Sequence, residues 1–154
     1  MFIEQAKVED AEEILALQKL AYKSEAEIYD DYSIPPLIQS IEEIEAEFED
    51  HTFLKALCDD ERIIGSVRAQ VKLGTCYIGR LIVAPDFQNQ GIGTSLMHKI
   101  EGCFEDAGRF ELFTGHLSGR NIYLYQKLGY KEFKREKVHE NLELVYMEKT
   151  NEKV

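Results

Sequence analysis

Basic residues are scarce in this 154-residue chain: 18 lysines and arginines stand against 29 acidic residues, a formal net charge of −11. That balance argues against nucleic acid as a partner, because binding a phosphate backbone needs a basic face. It suits encounter with a cationic acceptor such as an amine. Cysteine is sparse too. Cys58, Cys76 and Cys103 show no CxxC spacing and the four histidines have no ligand spacing, so neither a disulfide framework nor a metal site is expected. The three cysteines read as small buried hydrophobes. No run of about 18 apolar residues occurs, so no membrane span is predicted. The opening MFIEQAKVED lacks a basic region followed by an apolar run. No signal peptide is read there, and a cytoplasmic location is expected.

Nor is there an internal repeat, a low-complexity tract or a linker, and the length suits a single domain over residues 1–154. FIEQAKV reads as a first strand. In the following stretch, residues 9–22, Ala11, Ile14, Leu15 and Tyr22 fall at helical spacing, with acids in the first turn. Pro35 and Pro36 break the pattern. Ser40 and Glu43 have capping-box spacing, and Ile41, Ile44 and Phe48 continue as a second helix. Residues 52–71 hold two strand-like runs around Asp59 and Asp60. CYIGRLIVAP is a strand whose later part is apolar on both faces, as in a buried central position. Ile92, Leu96, Ile100 and Cys103 form the stripe of an amphipathic helix. RFELFT, a helix ended by Gly129, and the strands YKEFKRE and LELVYMEK complete a mixed α/β chain.

The stretch FQNQGIGTSL, residues 87–96, places Gly91 and Gly93 between a buried strand and a helix. Glycine there costs backbone entropy, so a bare backbone must serve either a tight turn or a ligand. The first amides of the helix are unpaired and have the positive dipole end behind them. Gln88, Asn89, Gln90 and Thr94 add uncharged polar groups, so a diphosphate could be held without lysine or arginine. The GxxxxGK[ST] loop is absent, and the third glycine of GxGxxG is replaced by Leu96. Further on, Asn121, Tyr125 and Gly129 lie four residues apart on one helical face.

Taken together, QNQGIG and NIYLYQKLGY resemble the GNAT superfamily of acyl-CoA-dependent N-acyltransferases. The first is similar to that family's Q/R-x-x-G-x-G/A pyrophosphate loop, the second to its N-x-x-x-x-Y-x-x-x-G-F/Y segment. RLIVAPDFQNQGIGTSLM keeps the same strand-turn-helix register, and the order of elements agrees over nearly the whole chain. The resemblance implies a central, mostly antiparallel twisted sheet with a splayed central strand pair, flanked by about four helices. It implies acetyl-CoA as co-substrate, with no metal, and direct acetyl transfer in a ternary complex to a primary amine on a small molecule or a peptide. It also allows a homodimer.

Residue by residue, the resemblance lays pantetheine along Leu81, Ile82 and Val83. It puts the diphosphate on Gln88, Asn89, Gln90, Gly91, Ile92, Gly93 and Thr94, and gives Asn121 a hydrogen bond to the pantetheine arm. Tyr125 occupies the general-acid position, and a backbone amide of residues 81–83 is the oxyanion donor. The base is open. The central strand carries Arg80 and no acid, so His116 and Glu111 are the nearest candidates, beside a water relay. For the acceptor, Tyr22, Tyr29 and Tyr32 stand among Glu25, Glu27, Asp30 and Asp31. Aromatic faces with carboxylates favour an ammonium group, so a small amine or lysine side chain is expected; a solvated acidic loop with packing tyrosines explains the same residues. Two other readings remain open: a non-catalytic acyl-CoA-binding module, and an unrelated α/β protein whose loop binds another phosphate ligand.

Overall fold

The computed structural model describes residues 1–152. In chain order they form β1 (Phe2–Gln5), α1 (Ala11–Ala21), α2 (Lys23–Tyr29), α3 (Pro35–Ile38), α4 (Ile41–Glu47), β2 (Thr52–Leu57), β3 (Ile63–Lys72), β4 (Thr75–Val83), α5 (Ile92–Gly102), β5 (Arg109–Gly115), α6 (Gly119–Lys127), β6 (Lys131–His139) and β7 (Leu142–Thr150). The strands make one sheet in the order β1-β2-β3-β4-β5-β7-β6. Every neighbouring pair is antiparallel except β4 and β5, which are parallel. This is the mixed α/β, mostly antiparallel architecture read from the sequence. Among the described residues, no helix is long and apolar enough to cross a membrane.

Alternation along β2 explains how the sheet is covered. Leu54 and Ala56 face a core built with Ile92, Leu96, Met97 and Ile100 of α5, which Leu124 and Leu128 near α6 also join. Phe53 faces the other way, into a cluster with Ile14 of α1 and Ile44 of α4. α5 and α6 therefore lie on one face, α1 and α4 on the other. The capping box at α4 is present: the Ser40 hydroxyl accepts from the Glu43 amide at 3.1 Å, and the Glu43 carboxylate accepts from the Ser40 amide at 2.9 Å.

Three expectations need correction. No helix is read between Tyr22 and the two prolines, yet α2 follows α1 directly and α3 forms a single turn beginning with those prolines. Ala26 and Tyr29, three residues apart on α2, are buried, and that tertiary burial fixes a helix too short to be stable alone. The first strand ends at Gln5, and a 3-10 turn at Val8–Asp10 replaces its expected continuation. Cys76 is buried and Cys58 partly so, but Cys103 is exposed, because α5 ends one residue before it and the stripe stops with the helix.

β4 carries an extra residue. Gly79 pairs with Arg68 and Ile82 with Ser66, so three steps on β4 match two on β3. At this bulge Arg80 adopts the left-handed conformation, φ 52°. The bulge rephases the strand: Cys76 and Ile78, then Leu81 and Val83, pack with the α5 core, whereas Ile82 packs with α1. The apolar run Leu81-Ile82-Val83 thus contacts the cores on both faces of the sheet.

Leu96 is fully buried between α5 and the sheet. Leu96→Ala is expected to lower unfolding stability by about 2–5 kcal/mol, read as a reduced urea midpoint with an unchanged slope.

Candidate active site

β4 and β5 pair only through Thr75–Arg109, Cys76–Phe110 and Tyr77–Glu111. Beyond Tyr77 the two strands part, so the edge of β4 facing β5 has no strand partner. Backbone groups there stay available to a ligand. Two clefts open at this gap, of about 670 Å³ and 690 Å³. Both are bordered by Tyr22, Glu25, Leu81 and Asn121, and there they meet.

The first cleft is lined by Leu81, Ile82 and Val83, by Gln88 and Asn89, by Gly91 to Thr94, and by Asn121. Gln90 is exposed and is not among the lining residues. Among the described residues, no acceptor takes a hydrogen bond from the amides of Gln88 through Thr94; the first helical bond runs from the Ser95 amide to the Gly91 carbonyl at 3.0 Å. Asn89 and Gly91 both have positive φ, 64° and 79°, and the alternation turns successive amides into a concave nest at the N-terminus of α5. A Cβ at Gly93 would lie 3.6 Å from Leu124 Cδ2 and 3.9 Å from both Leu81 Cδ2 and Val83 Cγ2. All three residues line the same cleft, so the missing side chain keeps it open. Arg120 and Lys127 also border it, and the Arg120 guanidinium donates to Gln88 Oε1.

The second cleft contains Tyr125, Tyr22, Tyr29, Glu25 and Arg80. Tyr125 is buried, and no group among the described residues hydrogen-bonds its hydroxyl. Burial holds its phenol well above the ordinary tyrosine pKa, and Tyr22 and Glu25 push it the same way. The hydroxyl therefore keeps its proton at neutral pH. Tyr29 OH accepts from the Leu117 amide at 3.0 Å and donates to Ser118 Oγ at 2.7 Å, and Ser118 donates to Glu25 Oε2 at 2.5 Å. This chain orients the Glu25 carboxylate. Asn121 Nδ2 donates to Thr114 Oγ1 at 3.3 Å, which orients the amide where the clefts join.

Tyr32 is exposed and lines neither cleft. Glu111 and His116 line neither as well. Glu111 is ion-paired to Arg109 at 3.0 Å, and His116 Nδ1 accepts from the Glu143 amide at 3.0 Å. Sequence reasoning passed over Glu25 as an individual residue, and Ser118 and Arg120 altogether. Glu25 was legible only as one acid among several. Arg80 was legible as the cation on the central strand, but not as part of a cleft, because a bulge leaves no clear mark in composition.

Comparison with known proteins agrees with this geometry. The family model described as an acetyltransferase (GNAT) domain matches residues 21–151. The chain is 29% identical over 141 residues to UPF0157 protein YqkA of Bacillus subtilis (strain 168), covering 92% of this chain and 40% of that protein. It thus spans two fifths of the length of that curated relative. Among solved structures it is similar to smu.2055 from Streptococcus mutans UA159, with a TM-score of 0.84, 18% identity and coverage of 99% of this chain and 100% of that one. The ribosomal-protein-S18-alanine N-acetyltransferase from Escherichia coli matches with a TM-score of 0.79, 16% identity and coverage of 97% and 92%. The PaiA N-acetyltransferase from Thermoplasma acidophilum, in complex with coenzyme A, matches with a TM-score of 0.68, 21% identity and coverage of 97% and 99%. At these identities the structural likeness is one of fold.

The first cleft fits coenzyme A on its own chemistry: a nest of undirected amides for the diphosphate, and an unpaired strand edge for the amide-bearing arm. Coenzyme A is therefore expected to raise the melting temperature of the protein. Gly93→Ala makes only ordinary contacts within the protein, so it should leave the ligand-free melting temperature nearly unchanged while greatly reducing the shift caused by coenzyme A.

Proposed function

The chain belongs to the GNAT acetyltransferase family, and on that premise we propose that it transfers an acetyl group from acetyl-CoA to a primary amine by direct attack in a ternary complex. The observation that carries this reading is the junction of the clefts. An amide-lined cleft and one holding a protonated phenol meet at Leu81, Glu25 and Asn121.

Acetyl-CoA supplies an activated thioester. Everything else is asked of the chain. The nest at Gln88–Thr94 anchors the diphosphate end, and Asn121 with the free edge of β4 orients the arm leading to the junction. The Leu81 amide, beside the bulge, is the donor for charge developing on the carbonyl oxygen. Tyr125 delivers its proton to the departing thiolate; its raised pKa keeps that proton available. Glu25 is the group that accepts the proton of the incoming amine, either directly or through a water. Its place at the junction makes it a better base than Glu111 or His116, which line neither cleft.

Two measurements test these roles. Tyr125→Phe should lower kcat by about 10²- to 10⁴-fold in a thiol-release assay while coenzyme A binding persists; unchanged turnover would remove Tyr125 from the acid role, and coenzyme A binding with no thiol release by the unaltered protein would favour a non-catalytic acyl-CoA-binding module. Glu25→Gln should lower activity most below the pKa of the acceptor amine. Its loss should shrink as pH rises and the amine arrives already neutral. A loss of the same size at every pH would remove Glu25 from the base role.

A further inference from the structure

Arg80 is a cation without a counterion inside the second cleft. It lines the cleft, none of its nitrogens lies within ion-pair distance of a carboxylate among the described residues, and its Nε is buried with no hydrogen-bond partner. The neighbouring arginine shows the contrast. The Nε of Arg68 is likewise buried without a partner, but its terminal nitrogens are engaged: it donates to Gln18 Oε1 at 2.6 Å, pairs with Glu47 at 3.3 Å and lies over the Phe53 ring at 4.5 Å. Arg68 thus has a carboxylate partner in Glu47, whereas Arg80 has none among the described residues. Burial, against the opposing pull of Glu47 and with the positive charge of Arg80 added, holds the Arg68 pKa down to about 10. The terminal nitrogens of Arg80 have no carboxylate partner among the described residues, and the planar fork of a guanidinium matches a carboxylate.

The same cleft holds Glu25, the partner for an amine, so it presents one site for each sign of charge. Two of its lining residues, His139 and Asp31, are bonded to each other. His139 Nδ1 accepts from the Asn141 amide at 3.1 Å, so in the neutral ring Nε2 carries the proton and donates to Asp31 at 2.8 Å. This joins the β6–β7 turn to the loop after α2. Tyr29, Ile34 and Leu142 pack together across the same joint. At about 690 Å³ the cleft has room for a small molecule that carries both charges.

We propose that the acceptor is a small amino acid, whose carboxylate binds the Arg80 guanidinium while its amine sits at Glu25. The inference rests on the acetyl-transfer reading for the amine half and refines the sequence-based expectation of a plain amine or a lysine side chain.

The test pairs each of the common amino acids with the amine left by its decarboxylation. Binding to the coenzyme A-saturated protein is measured by calorimetry, and thiol release is measured separately with acetyl-CoA. At least one amino acid should bind more tightly than its decarboxylated partner by about 10- to 100-fold, the value of a hydrogen-bonded charged pair. Arg80→Gln should collapse that ratio towards one, and Arg80→Lys, which keeps the charge without the fork, should retain part of it. Melting temperature and coenzyme A affinity close to wild type establish that the variants are folded. Equal or tighter binding of the decarboxylated amines, a ratio unmoved by Arg80→Gln, or no binding by any amino acid overturns the inference. Carboxylate-dependent binding without thiol release would instead sustain Arg80 and defeat the acetyl-transfer reading. Turnover of amines with no carboxylate preference would do the reverse.

Discussion

The site depends on a pairing that stops. β4 and β5 share three residue pairs and then part, although both strands continue. Had the ladder run on, the edge of β4 would be satisfied by β5 and the sheet would close over the place where the clefts meet. Because it stops, backbone donors and acceptors at the centre of the sheet are left for a ligand, where the sheet is packed on both faces. α5 and α6 hold one face and α1 the other, so the gap is a built feature and not a frayed end.

The bulge at Arg80 works together with that gap. One additional residue on β4 keeps Leu81 and Val83 packed towards α5, sends Ile82 towards α1, and leaves Arg80 in a left-handed conformation against the second cleft. A regular strand would have placed these side chains on other faces, because strand faces alternate with a period of two. A single irregularity thus re-aims both the apolar wall of the first cleft and the unpaired cation of the second.

An acidic chain that handles an anionic cofactor faces a repulsive field. On the proposed reading, the nest from Gln88 to Thr94 meets that difficulty with backbone dipoles, which carry no net charge and need no counterion. The neighbouring Arg120 and Lys127 add positive charge at the rim of the same cleft. In the second cleft, Glu25 stands among Tyr22, Tyr29 and Tyr125. The Tyr29–Ser118–Glu25 chain ties α2 to the end of β5 and the start of α6, so the segment that carries Glu25 is positioned by hydrogen bonds to the far half of the sheet.

By itself, the sequence determined the features that rest on local spacing. The period of the α5 stripe, the Ser40–Glu43 cap, the alternation of β2, the glycines of the nest and the Asn121–Tyr125 spacing all follow from contacts within a few residues. They are legible because chain geometry alone brings them together. Tertiary structure decided what depends on residues far apart in the chain. α2 is helical because Ala26 and Tyr29 are buried and Tyr29 bonds Ser118, Glu25 is set apart from its acidic neighbours by its own bond to Ser118, and Arg80, unlike Arg68, has no carboxylate partner among the described residues. Tyr32 shows the opposite case: it shares the composition of that segment, yet it faces solvent. Burial and counterions are properties of the whole packed molecule, so no local pattern could have separated these residues.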